Sequence, residues 1–203
     1  MSKSDRPAWC VDAVLGHMRS GKSSFAYERL LRWGGGVFVT FRGVPPHFRP
    51  RPWTITDDDD DLQNVDYYLR TYRTLQIKAT HGRLTRIIAA LRGRDRINVV
   101  FDDSWVLLNQ DQRTKADAVN ALDTYLQECG QRYVCAQLTT HRAKKQLSTF
   151  IQDNANIYWV GPARKPSTVR DLCELSELPL GDEELGKMLW DNPARKAILL
   201  KGE

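Results

Sequence analysis

A glycine-containing segment near the amino end carries the strongest chemical signal in the sequence. Residues 16–23 read Gly-His-Met-Arg-Ser-Gly-Lys-Ser and match the phosphate-binding pattern G-x-x-x-x-G-K-[ST] in full. Glycine lets such a loop turn tightly enough for successive backbone N–H groups to point at phosphate oxygens. The residues expected to contact a nucleotide are therefore Gly16, His17, Met18, Arg19, Ser20, Gly21, Lys22, Ser23 and Ser24.

Two members of this loop have distinct expected roles. The Lys22 ammonium would neutralise the β and γ phosphates of ATP, and the Ser23 hydroxyl would bind Mg²⁺. A magnesium–nucleotide site also needs a carboxylate at the end of a neighbouring strand. Asp102 directly follows the apolar run 97–101 and is expected to serve the metal, while Asp103 lies where a base for an attacking water would stand. A helix cap or a solvated turn is the alternative for both acids.

Polar residues also follow the next apolar run. Thr140 and His141 stand at its end, and ligands of open α/β sheets bind at the carboxyl ends of strands. Both residues are therefore expected to sense the γ-phosphate, although an ordinary loop histidine is the alternative for His141. The sequence contains no G-x-S-x-G and no H-E-x-x-H, so no other catalytic pattern competes.

Alternating apolar and amphipathic segments would position these residues. Strands are predicted at 8–15, 37–41, 97–101, 133–139, 157–160 and 197–200. Helices are predicted at 23–31, at 62–91 with a break at 81–82, and at 114–128, 143–151, 167–175 and 182–189. Gly130 is the predicted stop of the helix at 114–128, and the prolines from 45 to 52 predict a long loop. This alternation predicts an α/β fold with a mostly parallel sheet flanked by helices on both faces. The 203 residues fit one domain, 1–203, with a helical and loop insertion at about 42–96.

Composition limits the class of protein. With 41% hydrophobic and 27% charged residues, the chain is typical of a folded protein and unlike a disordered or fibrous one. No run approaches the ~20 apolar residues of a membrane span, and the start is polar, so a cytosolic protein is expected. The 4 cysteines lack metal-binding spacing and are expected to be reduced.

Charge is unevenly distributed along the chain. The net charge of +5 permits a polyanionic partner without requiring one. The segment from Arg70 to Arg96 contains eight basic residues and only one acid, Asp95. These basic residues are expected either to bind DNA phosphates or to form a solvated helical face. The acidic run 57–61 just upstream is expected to be a solvated loop.

Together these segments resemble the P-loop ATPases of the FtsK–HerA superfamily. The resemblance rests on 16–23, on 99–103, and on a third block that ends one helix at 129–130, runs a strand into 140–142 and continues through 150–157. It covers nearly the whole chain except 42–96. Two positions depart from the family, because Asp103 stands where members usually carry Glu, and Thr140 or His141 stands where they usually carry a sensor Gln.

The resemblance implies a function for a chain of this size. Single-domain members resemble the genome-packaging ATPases of internal-membrane phages, archaeal viruses and large DNA viruses. This implies an ATP- and Mg-dependent, homo-oligomeric ring that moves double-stranded DNA in the host cytoplasm, docked on a portal or a capsid or membrane vertex protein. It also implies an arginine finger from a neighbouring subunit, with Arg132 as first choice and Arg142 and Arg164 behind it.

Two other functions are compatible with the same loop. A small-molecule or nucleotide kinase would need a basic lid, for which the sequence has no clear motif. A filamentous-phage assembly ATPase usually has a membrane span, which the sequence lacks. DNA-stimulated ATP hydrolysis would favour the packaging function, and phosphate transfer to a nucleoside or nucleotide would favour the kinase.

Overall fold

The described strands join into one eight-stranded sheet in the computed structural model, which describes residues 6–45, 47–80, 82–104, 115–141 and 147–202. The strands are β1 Cys10–Leu15, β2 Gly36–Thr40, β3 Trp53–Thr56, β4 Thr74–Lys78, β5 Asn98–Phe101, β6 Cys135–Thr140, β7 Asn156–Val160 and β8 Ala197–Lys201. Their order is β3-β4-β2-β5-β6-β1-β7-β8, and only β8 runs antiparallel to its neighbour. The predicted mostly parallel α/β sheet is confirmed.

Helices cover both faces of this sheet. The described helices are α1 Lys22–Arg32, α2 Asp59–Gln63, α3 Val65–Thr71, α4 Leu84–Arg92, α5 Lys115–Arg132, α6 Thr149–Asn154, α7 Pro166–Cys173 and α8 Asp182–Asp191. Because side chains alternate across a strand, Val99 and Phe101 of β5 join the core that includes α4 and α5, whereas Val100 packs with α1. Within the described part of the chain, no helix has the length and apolar character to cross a membrane.

The strand order brings three distant chain segments together at one edge of the sheet. Strands β1 to β7 all run in the same direction, so their carboxyl ends meet at one edge, here called the carboxyl edge, and their starts meet at the opposite amino edge. Strand β6 lies between β5 and β1. The residues that follow β1, β5 and β6 are therefore neighbours, although they are far apart in the sequence.

Two strands occupy the segment predicted as a long loop and a helix. The prolines end at Pro52, directly before the edge strand β3, where a missing N–H disturbs no pairing. Strand β4 is only five residues long, and it pairs with both β2 and β3. The helical prediction over 62–91 was wrong here because Leu75 and Ile77 stand two apart and face the core from a strand.

Two helix boundaries also differ from the predictions. Helix α5 continues through Gly130 to Arg132, so Gly130 does not stop it. Of the predicted helix at 143–151, residues 143–146 lie outside the described residues, and α6 begins at Thr149 after Ser148, whose side chain accepts the Ile151 N–H.

The acidic run is not a solvated loop. Asp59, Asp60 and Asp61 form the first turn of α2, where negative charge is favourable beside free backbone N–H groups. The Asp57 carboxylate is buried and accepts hydrogen bonds from the Thr80 backbone N–H at 2.6 Å and from the Thr80 hydroxyl at 2.7 Å. The run therefore ties the end of β3 to the segment after β4.

Candidate nucleotide site

The predicted phosphate loop lies between the end of β1 and the start of α1. The Gly16 N–H donates to the Thr140 carbonyl at 3.2 Å, which fixes the start of the loop against β6. A Cβ at Gly16 would lie 2.4 Å from the Ser20 Oγ, and Gly21 has a φ of +99°, so both glycines are required by the local geometry. The predicted strand, glycine loop and helix are thus present in that order.

The loop presents its backbone rather than most of its side chains. The N-terminal cap of α1 makes no side-chain hydrogen bond, so the first N–H groups of the helix are available to an anion. The side chains of Met18 and Arg19 are exposed, and Arg19 has a left-handed φ of 64°. Ser24 lies in the first turn of α1, where its hydroxyl is 3.0 Å from His47 Nε2. An anion in this loop would be held mainly by main-chain donors.

Lys22 meets two of the predicted catalytic side chains. The buried Lys22 Nζ lies 3.0 Å from His141 Nδ1 and 3.6 Å from Asp103 Oδ1. His141 Nε2 lies 2.9 Å from the same Asp103 oxygen. Because the Lys22 ammonium can only donate, His141 Nδ1 accepts its hydrogen bond, and the neutral ring then carries its proton on Nε2, next to Asp103. We call Lys22, Asp103 and His141 the Lys22 cluster.

A hydroxyl at the end of β6 positions the acidic pair. Thr139 Oγ1 donates to Asp102 Oδ1 at 2.7 Å and accepts the Asp103 backbone N–H at 2.8 Å. Asp103 has a left-handed φ of 50°, which the Thr139 contact holds in place. Sequence reasoning chose Thr140, but successive strand residues face opposite sides of a sheet, and Thr139 is the one that faces the acids. Thr140 contributes its carbonyl to Gly16.

Burial and nearby charge perturb the ionisation of these groups. Burial lowers the pKa of Lys22, and the negative charges of Asp103 and Asp102 oppose this effect. Burial alone would raise the pKa of Asp103, but the His141 hydrogen bond and the Lys22 charge outweigh it and hold that pKa below its usual value. The site therefore keeps Asp103 ionised and paired.

Asp102 behaves differently from its neighbour. Burial raises the pKa of Asp102, and hydrogen bonds from Thr139 and Ser23 only partly oppose this effect. A divalent cation would supply the positive charge that this buried carboxylate lacks. Mg²⁺ prefers hard oxygen ligands and retains several waters, and the Ser23 hydroxyl and the Asp102 carboxylate are such ligands. The residues present therefore fit the predicted Mg²⁺.

The candidate finger arginines lie in different places. Arg132 ends α5 at the amino edge, where it contacts Asp95 at 3.4 Å and Glu128 at 3.6 Å. Strand β6 separates it from the Lys22 cluster of its own chain by roughly 17 Å, at about 3.3 Å per residue. Arg142 lies outside the described residues. Arg164 is exposed in the segment between β7 and α7, at the carboxyl edge.

Sequence reasoning missed two arginines that stand near the loop. Arg42 follows β2 at the carboxyl edge, and its charge acts on both Lys22 and Asp103. Its position directly after a predicted strand was the available signal. Arg195 lies beside Gly21 in the turn between α8 and β8. The sequence carries no signal for Arg195, because only the antiparallel return of β8 brings that turn to the loop.

The basic segment from Arg70 to Arg96 does not form one basic surface. Helix α4 runs from the carboxyl edge to the amino edge, so its two ends separate the basic residues. At one end, Arg83 pairs with Asp58 at 3.4 Å and Arg86 with Asp59 at 3.3 Å. At the other end, Arg92 pairs with Glu128 and Arg94 with Asp66. The chain's own carboxylates thus take up much of this charge.

Comparison with known proteins identifies the fold. No protein-family model and no curated protein sequence matches the chain. The genome packaging NTPase B204 of Sulfolobus turreted icosahedral virus 2, solved with AMP, is similar with a TM-score of 0.63 at 10% identity, covering 97% of this chain and 99% of that one. The complex of that NTPase with AMPPCP has a TM-score of 0.63 at 11% identity, covering 97% of this chain and 99% of that one. B204 of Sulfolobus turreted icosahedral virus, described as a DNA-packaging ATPase, has a TM-score of 0.64 at 11% identity, covering 98% of this chain and 99% of that one.

The likeness extends over the full length of both chains. The protein therefore has the mostly parallel α/β fold of a P-loop packaging NTPase.

Replacing Lys22 tests the phosphate loop. Lys22→Ala should abolish tight ATP binding and turnover, because the β and γ phosphates keep only backbone N–H donors. Fluorescent-nucleotide titration measures the affinity, and Lys187→Ala, which removes an exposed lysine on α8, serves as the charge-matched control. Hydrolysis by Lys22→Ala at the wild-type rate would exclude this loop as the site.

Replacing each acid separately tests their division of roles. Asp102→Asn should retain much of the nucleotide affinity but lose Mg²⁺-dependent turnover, because a neutral amide is a poor partner for the ion and its waters. Asp103→Asn should bind Mg²⁺–ATP normally and hydrolyse it slowly. Hydrolysis rates measured across a Mg²⁺ titration, with EDTA as the zero point, separate the two outcomes. Normal turnover by both variants would mean that the acidic pair is structural.

Proposed function

We propose that this chain is a Mg²⁺-dependent ATPase that moves double-stranded DNA during viral genome packaging. The observation that carries the proposal is the Lys22 cluster, which joins a complete phosphate loop to the acids after β5 and the polar end of β6. The full-length fold likeness to B204, described as a DNA-packaging ATPase, supports the choice of motor over other ATPases.

Nucleotide binding would use the loop and the start of α1. Backbone N–H groups of the loop would bind the phosphate oxygens, and the positive end of the α1 dipole would favour their charge. The Lys22 ammonium would then hold the γ-phosphate. Since Lys22 Nζ also contacts Asp103, the γ-phosphate competes with that carboxylate for the same cation.

Ser23 and Asp102 would hold the Mg²⁺ that accompanies ATP. When bound, the ion neutralises charge on the β and γ phosphates. Asp102 is suited to this role because Thr139 fixes one of its oxygens at 2.7 Å and so limits its movement. The same hydroxyl fixes the backbone of Asp103, so the metal-binding acid and the proposed base are held at one place.

Hydrolysis requires a group that orients water and accepts its proton. We assign this role to Asp103, whose carboxylate is ionised and lies 2.9 Å from His141 Nε2. His141 keeps the carboxylate in one orientation, and its Nδ1 faces Lys22, where it can respond to the arrival of a γ-phosphate. We also propose that Thr140 senses the γ-phosphate, because its carbonyl accepts the hydrogen bond from Gly16 at the start of the loop.

The motor function needs partners beyond the single chain. We propose a homo-oligomeric ring in which a neighbour supplies an arginine finger, since such a residue accelerates phosphoryl transfer by about 10³–10⁵. We propose Arg132 first as this finger. To reach the phosphate of a neighbouring subunit, it would have to break its ion pairs with Asp95 and Glu128. Arg164 is the alternative that stands at the carboxyl edge. We further propose that the ring moves double-stranded DNA in the host cytoplasm and docks on a portal or vertex protein.

ATP hydrolysis measured with and without duplex DNA tests the proposed function. We expect duplexes of unrelated sequence to stimulate hydrolysis, and the stimulation to fall with rising salt, because phosphate contacts release counterions. The mass in solution should be that of an oligomer. Lys22→Ala assayed with DNA controls for contaminating activity. Phosphate transfer to a nucleoside or nucleotide would favour the kinase instead, and a DNA-insensitive monomer would contradict the motor.

A further inference from the structure

The turn that joins α8 to β8 packs against the back of the phosphate loop. The Arg195 N–H donates to the Ser20 carbonyl at 3.0 Å, and the Gly161 N–H donates to the Lys196 carbonyl at 2.9 Å. The buried Asn192 amide donates to the carbonyls of Gly161 and Lys196, both at 3.0 Å. The phosphate loop, the residue after β7 and this turn, residues 192–196, therefore form one hydrogen-bonded unit.

Within this unit, the Arg195 side chain lies along the start of α1. A Cβ added to Gly21 would stand 2.8 Å from Arg195 Cγ and 3.2 Å from Arg195 Cβ, so the aliphatic stem covers Gly21 closely. Arg195 has a left-handed φ of 67°, which is unfavourable for a residue with a side chain. This backbone conformation directs the aliphatic part of the Arg195 side chain across the phosphate loop.

The guanidinium of Arg195 is available to a ligand. The residue is exposed, and among the described residues no carboxylate forms an ion pair with it. In this respect it differs from Arg83, Arg86, Arg92 and Arg94, which the chain's own acids neutralise. An exposed planar cation thus stands beside the phosphate loop, and no described carboxylate pairs with it.

The direction of a bound nucleotide follows from the strand order. Lys22, Asp103 and His141 place the γ-phosphate on the side of the loop that faces β5 and β6. Strand β1 separates that side from β7 and β8. The α-phosphate, ribose and base must then extend towards β7 and β8, where Arg195 stands.

We propose that Arg195 stacks its guanidinium on the base of the bound nucleotide, an inference that rests on the nucleotide binding proposed above. Backbone N–H groups already serve the phosphates, whereas an uncharged aromatic base needs a flat partner. A guanidinium is planar and stacks on aromatic faces, where an ammonium provides only a point charge. Arg195 would therefore distinguish nucleotides from simple polyphosphates.

Comparing ADP with inorganic tripolyphosphate tests this contact, because only ADP carries a base. Arg195→Ala should weaken ADP binding by about 3- to 30-fold, the range expected for a cation–π contact, and leave the tripolyphosphate affinity within about twofold. Arg195→Gly, which tolerates the left-handed backbone, should do the same without loss of stability. Arg195→Lys should restore little of the ADP affinity. Arg32→Ala, which removes an exposed arginine at the far end of α1, is the matched control.

Several outcomes would overturn the assignment. Equal losses for ADP and tripolyphosphate would mean that the turn only supports the loop. Full rescue by Arg195→Lys would indicate a charge contact with the α-phosphate, and unchanged ADP affinity in both truncated variants would exclude any contact. If the wild-type protein bound tripolyphosphate and ADP equally poorly, the nucleotide site itself would be wrong and the base contact with it.

Discussion

The hydroxyl of Thr139 holds the site together, because it bonds the carboxylate of Asp102 and the backbone N–H of Asp103 at once. This pair of hydrogen bonds joins the end of β5 to the end of β6 and stabilises the left-handed backbone at Asp103. Only with that backbone in place does the Asp103 carboxylate reach both Lys22 and His141. The arrangement of Asp102, the proposed metal ligand, Asp103, the proposed base, and Lys22 thus depends on one side chain.

Burying these charges together imposes a second constraint. Removing Lys22 and Asp102 from water, with Asp103 partly buried beside them, is costly unless each has a partner of suitable geometry. Lys22 contacts both Asp103 and His141, but Asp103 Oδ1 has no hydrogen-bond partner among the described residues, and no described cation is in direct contact with Asp102. A Mg²⁺–triphosphate complex would supply the cation that Asp102 lacks, and its γ-phosphate would replace Asp103 as the anionic partner of Lys22. The electrostatics of the site therefore match the ligand that its loop predicts.

Local patterns predicted the phosphate loop and most of the sheet, because apolar runs ending in polar residues are readable without tertiary contacts. Strands β3 and β4 escaped prediction because neither contains an apolar run: Ile55 is the one buried residue of β3, and a polar residue separates Leu75 from Ile77 in β4. Thr139 and Thr140 differ by one residue, and only the register of β6 decides which one faces the acids. The position of Arg132 at the amino edge follows from its place before a parallel strand, whereas Arg195 reaches the loop only through a tertiary contact.

The central claim is that Lys22 exchanges the Asp103 carboxylate for a γ-phosphate while Thr139 keeps the acidic pair in place. A crystal structure with Mg²⁺ and a non-hydrolysable ATP analogue tests it most directly. We expect the γ-phosphate within hydrogen-bond distance of Lys22 Nζ, Mg²⁺ on the side of Ser23 and Asp102, and Asp103 still next to His141. A nucleotide bound away from residues 16–24, with Lys22 still held by Asp103 and His141, would contradict it.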